Sequence, residues 1–180
     1  YTFSDISNVF IAKAEQSFGD YSFVEYRILD IEKKLTEQDI SLHSYDIIIA
    51  SDVFHATKYL SETLQNVQRL LAPGGVLMML EATKSPVWLD TVFGLTEGWW
   101  RYQDLDIRNH ACMNENKWYK LLNDAGFCDV NGVTDAKENQ SRQHLFVARN
   151  KNIKVDVPES RLPGPMLENP GIWLIFTDEL

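Results

Sequence analysis

Apolar residues follow two periods along this chain, and the periods alternate. From Leu60 onward the apolar positions fall at Leu64, Val67, Leu70 and Leu71, the three-and-four spacing of a helix with one buried face. On either side lie short continuous runs, Ile47-Ile48-Ile49 and residues 76–80, of the kind carried by strands buried on both faces of a parallel sheet. Pro73-Gly74-Gly75 predicts a stop and a turn between helix and second strand. Strand, crossover helix and parallel strand close a right-handed unit, with the C-terminal ends of both strands on one sheet edge. Ligands of open α/β sheets bind at that edge.

The alternation extends in both directions. Residues 1–5 read as strand, and Ser7-Asn8 caps a helix whose apolar face is Val9, Phe10, Ala14 and Phe18, ending at Gly19. Residues 21–29 predict another strand, and residues 32–42 a charged, weakly amphipathic helix or loop. After Glu81, Ser85-Pro86 opens an aromatic stretch with Trp88, Phe93, Leu95, Trp99 and Trp100, read as helix. Asn114 caps a helix carrying Trp118, Leu121, Leu122 and Ala125, which Gly126 terminates. Residues 127–133 and 144–149 predict an antiparallel pair at a sheet edge, joined by a polar segment. The whole predicts an α/β fold, a mostly parallel sheet with an antiparallel edge strand and helices on both faces.

Domain organisation follows from the same pass. Residues 1–149 form one domain, and residues 150–171, with Pro158, Pro163, Pro165 and Pro170 and no apolar period, predict a linker. Residues 172–180 resume a buried-strand pattern and read as the opening strand of a following region. Because Tyr1 already lies inside a strand pattern, the expectation is a chain cut from a longer one.

Composition narrows the partners. With 180 residues, 44% hydrophobic and 24% charged, the chain can bury a core. A net charge of -9 leaves no basic cluster to neutralise phosphates, which excludes nucleic acid as the main partner and favours a cationic or small neutral ligand. Cys112 and Cys128 lack the count and spacing of a disulfide or metal framework and suit a reducing cytosol. No apolar run approaches the roughly 20 residues that span a bilayer, so the expected setting is cytoplasmic, without membrane or metal.

The chemistry sits at the two strand ends. His55 follows the first strand and Glu81 ends the second, so neighbouring strands would bring an imidazole and a carboxylate together as a base and its orienting partner. A lone histidine after a strand is more often structural, and the partner is what favours catalysis here. His43, His110 and His144 show no such partner and read as surface or structural. Trp99 and Trp100 could line an acyl pocket, but such spacing is usually core, and they read as core with Trp88 and Trp118; Glu97 reads as solvent-facing and the two cysteines as buried thiols.

Five stretches then carry a resemblance: Tyr1-Thr-Phe-Ser-Asp-Ile-Ser7, Ala50-Ser-Asp-Val-Phe-His-Ala-Thr57, Leu70-Leu-Ala-Pro-Gly-Gly75 with Leu80-Glu81, Trp88-Leu-Asp, and Phe93-Gly-Leu-Thr-Glu-Gly-Trp-Trp100. Through them the chain resembles the second half of a class I S-adenosylmethionine (SAM) dependent methyltransferase, specifically the C-methyltransferase domain of modular polyketide synthases. The resemblance implies a Rossmann-like fold, with SAM as cofactor. It implies as partners an acyl carrier protein bearing a β-ketoacyl chain and the neighbouring synthase domains, the tail resembling the opening of a ketoreductase-type region. It implies that Asp5 holds the ribose hydroxyls, a carboxylate offering two acceptors to a diol. Ile6 would pack on the adenine, Asp30 and Ile31 would hold its edge and face, and Ser51 would line the methionine portion. His55 and Glu81 match the family's base and partner for methylating the α-carbon. The alternative is a non-catalytic methyltransferase-like structural domain within a polyketide or fatty-acid synthase. Two departures stand out. The family commonly has asparagine where this chain has Asp52, a further carboxylate near His55 that could raise its pKa or repel an enolate. No Gly-x-Gly precedes Asp5, so the first strand and glycine-rich loop are missing, and weak folding and cofactor binding are expected unless another segment supplies the central strand.

Overall fold

Ser7 stops the first strand and starts the first helix. Its backbone is extended and its side-chain oxygen accepts from the Val9 N–H, the geometry that satisfies a free donor at a helix start. It separates β1 (Thr2–Asp5) from α1 (Asn8–Phe18). There follow β2 (Glu25–Ile28), β3 (Tyr45–Ser51), α2 (Leu60–Leu70), β4 (Leu71–Ala82), α3 (Val87–Phe93), α4 (Glu115–Asp124), β5 (Phe127–Val133), β6 (Gln143–Asn150) and β7 (Trp173–Thr177). This computed structural model describes residues 1–134 and 143–151 and the backbone of 173–177. Residues 135–142, most of the predicted linker, and residues 172 and 178–180 lie outside the described residues.

The strands form one sheet in the order β2-β1-β7-β3-β4-β6-β5. β1, β2, β3, β4 and β7 are mutually parallel, as the βαβ pattern predicts. The late pair is antiparallel at the sheet edge, but the strand that runs against the rest is β6, one place in, with β5 outermost. The centre of the sheet differs from expectation. Residues 172–180 read in sequence as the start of another region, whereas here β7 lies between β1 and β3, pairing Leu174 with both Thr2 and Ile48. β1 and β3 would otherwise each expose an unpaired row of N–H and C=O groups, and β7 satisfies both rows.

Local differences have local causes. The strand predicted over 21–29 shortens to β2 because its start is used in turns, with Tyr21 N–H donating to the Phe18 carbonyl and Val24 N–H to that of Tyr21. Residues 32–42 form no long helix but a short turn at Leu35–Glu37, where Leu35 is fully buried and the Gln38 amide bonds to the backbone N–H and carbonyl of Asp30. Pro73-Gly74-Gly75 does not end an element. β4 runs through it, and the register against β3 slips there, with Leu71 opposite Tyr45 but Val76 opposite Ile47. Gly74 takes φ +79°, and a Cβ on Gly75 would lie 2.9 Å from the Tyr45 carbonyl oxygen, so both glycines are required by the bulge. The aromatic stretch splits into α3 and a short turn at Glu97–Trp100.

The core joins α2 and α4 to the sheet. Leu60, Leu64, Val67 and Leu70 of α2 share one buried cluster with Ile48, Ala50, Leu77 and Met79, and with Trp118, Leu121 and Leu122 of α4. Each fully buried leucine contributes about 1.5–3 kcal/mol through removal from water. The packing fixes α2 behind β3 and β4, and so fixes the two strand ends that carry the site. Among the described residues no helix is long and apolar enough to cross a membrane.

Candidate active site

Strand periodicity aims Glu81. On β4, Leu77, Met79 and Glu81 occupy alternate positions and all are fully buried, so the carboxylate takes the core face. A buried carboxylate needs partners, and it has them at the end of β3. Its Oε2 lies 2.9 Å from His55 Nδ1, and its Oε1 accepts the Phe54 N–H at 2.7 Å. His55 is 5% exposed, in the short turn Phe54–Ala56 that follows β3. An ionised carboxylate only accepts, so with Glu81 ionised the proton between them lies on His55 Nδ1.

The turn that carries His55 is held from behind by residues the sequence did not single out. Arg108 is 1% exposed and donates from Nη1 to the His55 carbonyl at 3.0 Å and from Nη2 to the Thr57 carbonyl. Its Nε bonds Asp104 Oδ1 at 2.7 Å, and Asp104 Oδ2 accepts the Leu60 N–H at the start of α2. Burial pulls the guanidinium pKa down while Asp104 supports its charge. Asp52, 8% exposed, explains its own residue type. Its φ is +52°, the left-handed region that asparagine and aspartate tolerate best, and its Oδ2 accepts the Gln143 amide at 2.7 Å. Ligand atoms of Asp52, His55 and Glu81 lie within 4.8 Å of one another, joined to neighbours by these hydrogen bonds.

A cavity of about 230 Å³ opens beside this pair, at the C-terminal ends of β1 and β2. Asp5, Ile6, Asp30 and Ile31 all line it, and so do Val53, Ala56 and Thr57, which bracket His55 in the chain. Asp5 and Asp30 are 7% and 9% exposed, and each carboxylate also caps its own turn, Asp5 Oδ1 accepting from Ser7 N–H and Asp30 Oδ1 from Glu32 N–H. Ile31 is buried and Ile6 exposed. Ser51 sits at the end of β3, opposite Leu80 and Thr177, outside the cavity lining. Across the mouth, Glu32 Oε2 pairs with Arg101 Nη2 at 2.7 Å while its Oε1 accepts the Lys58 N–H.

A second histidine pair lies on the other side of His55. His110 Nε2 is 2.9 Å from Asp90 Oδ1, and its Nδ1 accepts the Cys112 N–H. His110 therefore has the acidic partner that sequence spacing hid, 20 residues away in another element. The Asp90 carboxyl is raised by burial but more strongly lowered by hydrogen bonds from Trp99, His110 and Ser85, and ends below its usual range. Trp99, read from the sequence as core, is 5% exposed and stands edge-to-ring against His55 at 5.6 Å. Burial and the nearby carboxylates of Glu81, Asp90 and Asp52 push the Cys112 thiol up to about 12.

Known proteins resemble this chain in sequence and in overall fold. Residues 1–77 match the family described as a methyltransferase domain. The non-reducing polyketide synthase ausA of Penicillium brasilianum is 40% identical over 148 residues, 82% of this chain and 6% of that protein. The CurJ carbon methyltransferase superposes with a TM-score of 0.80 at 41% identity, covering 84% of this chain and 41% of that one. The trans-methyltransferase CalH, solved in complex with SAH, gives 0.77 at 38% identity over 83% of this chain and 42% of that one. The chain thus spans a small fraction of the curated relative and under half of the solved domains. By sequence and by fold, the chain belongs to the class I methyltransferase family, among the carbon-methyltransferase domains of polyketide synthases.

Proposed function

We propose that the chain carries the proton-abstracting half of a SAM-dependent C-methylation of the α-carbon of a β-ketoacyl chain held on an acyl carrier protein. The observation that carries this reading is the buried 2.9 Å contact between His55 Nδ1 and Glu81 Oε2, beside a cavity lined by the residues that flank His55. The α-carbon of a β-ketoacyl thioester is acidified by two carbonyls, so a neutral imidazole can take its proton. His55 Nε2 accepts that proton. Glu81 keeps the other proton on Nδ1, orients the ring and offsets the charge of the imidazolium that forms.

The cavity fits one end of SAM. It is smaller than the roughly 300–1,000 Å³ of pockets that enclose a whole drug-sized ligand, and suits a nucleoside. Asp5 would accept from the ribose hydroxyls and Asp30 from the adenine amine, with Ile6 and Ile31 as apolar flanks. Ser51 would face the methionine portion. Bound SAM supplies an electrophilic methyl group, and the enolate left by proton removal is its acceptor. SAH in the CalH structure supports the cofactor, the ausA likeness supports a polyketide substrate, and the CurJ likeness supports transfer to carbon.

The test is to incubate the full-length protein with SAM and a β-ketoacyl carrier protein and read the acyl chain by intact mass. Gain of one methylene supports the proposal. SAM binding without any gain would leave the non-catalytic, structural reading in its place.

A further inference from the structure

We propose that Asp90 is a positioning residue for the base, acting through Trp99; the inference rests on the reading of His55 as that base. Glu81 contacts the imidazole at Nδ1, and a hydrogen bond at one ring atom leaves the tilt of the ring to its other contacts. The second constraint is Trp99, whose ring meets that of His55 at 67° with centroids 5.6 Å apart. A buried indole needs an acceptor for its N–H, and Trp99 Nε1 donates to Asp90 Oδ1 at 2.9 Å.

Asp90 is itself held from two further sides. His110 Nδ1 accepts the Cys112 N–H at 3.0 Å, so its proton lies on Nε2 and is donated to the same Asp90 oxygen at 2.9 Å. Ser85 Oγ donates to Oδ2 at 3.1 Å. The His110 ring also stands edge-on to Trp99 at 5.8 Å. Leu89 and Ala111 pack with Trp99 in a small buried cluster separate from the main core. One carboxylate therefore gathers Ser85, Trp99 and His110, and the only member of that group that reaches His55 by ring contact among the described residues is Trp99. The plane of His55, and with it the direction of Nε2, is set by Glu81 on one side and by the Asp90–Trp99 pair on the other. Small misplacements of a reacting group cost large factors in rate, which makes a wall on the base worth holding this firmly.

The experiment uses the full-length protein and five variants. Asp90→Ala, which removes the acceptor, should lower kcat about tenfold or more while leaving the KM for the acyl carrier substrate and the affinity for SAM unchanged. Asp90→Asn, which keeps an acceptor oxygen, should restore most of that loss. Trp99→Phe should lower kcat to a similar extent, and adding it to Asp90→Ala should cost little more, because both break one chain of contacts. Inactive His55→Gln with Asp90→Ala and Trp99→Phe both at the wild-type rate would overturn the inference, as would losses that simply multiply in the double variant. Fully active His55→Gln would instead overturn the reading of the base. If Asp90→Ala does not fold, Trp99→Phe decides: a fall in kcat at unchanged KM supports the proposal, and an unchanged kcat sinks it.

Discussion

Glu81 uses its two carboxylate oxygens on adjacent residues, Oε2 on the ring of His55 and Oε1 on the backbone N–H of Phe54. One side chain thus fixes both the His55 ring and the turn that carries it. Glutamine cannot serve both, since its amide nitrogen would face either a donor N–H or the Nδ1 proton. Glu81→Gln should lower kcat by about 10²-fold or more through the wrong tautomer or a displaced ring. Steady-state methylation kinetics on the purified variant check this, and a loss confined to KM would contradict it.

Arg108 should matter for stability more than any surface ion pair. Arg108→Met leaves Asp104 without its charge partner and frees the carbonyls of His55 and Thr57. Breaking one side of a buried pair costs about 3–5 kcal/mol. The exposed pair of Lys120 and Asp124, at 3.8 Å, should contribute less than about 1 kcal/mol. Urea denaturation of Arg108→Met and Lys120→Met compares the two directly.

The Asp90 carboxyl titrates lower in the folded chain than in the unfolded one, burial being outweighed by the donors from Trp99, His110 and Ser85. Its contribution to stability is therefore complete above the unfolded value, about 4, and is lost as pH falls through the lower folded value. Asp90→Asn should lower the urea midpoint near neutral pH, and by less at a pH below the unfolded value of about 4. Equal losses at both pH values would contradict the assignment.

Cys112 should be a slow thiol. With its pKa pushed up to about 12 by burial and by the carboxylates around it, its thiolate fraction near pH 8 is on the order of one in 10⁴. Alkylation by iodoacetamide followed by peptide mass mapping should leave it unmodified while free cysteine in the same tube reacts. Rapid modification of Cys112 in the native protein would show that the aromatic segment opens.

What the sequence revealed and what it hid divide along chain separation. The helix of Leu64, Val67 and Leu70 and the strand ends at His55 and Glu81 were legible because apolar period and strand position are local signals, and one βαβ unit converts them into a single contact. Asp5, Ile6, Asp30 and Ile31 reached one cavity for the same reason, each lying at the end of a strand in a parallel sheet. Ser51 ended its strand too, but outside that lining. The roles of Arg108, Asp104 and Asp90 were hidden because their partners lie in other elements: Arg108 reaches back to His55, and Asp90 meets Trp99 and His110 only after α3 and the following turn fold over His55. The bulge at Gly74 and Gly75 looked like a turn because glycine and proline mark both, and only register distinguishes them. The place of β7 could not be read at all, since a short apolar strand carries no information about which neighbours it will join.

In the proposed reaction His55 removes the α-proton. The direct measurement compares wild-type and His55→Ala full-length protein for methyl transfer to a β-ketoacyl carrier protein by intact mass, with SAM affinity measured by calorimetry on the same preparations. His55→Ala should bind SAM as wild type does and add no methyl group. Methylation by His55→Ala at the wild-type rate would contradict that role.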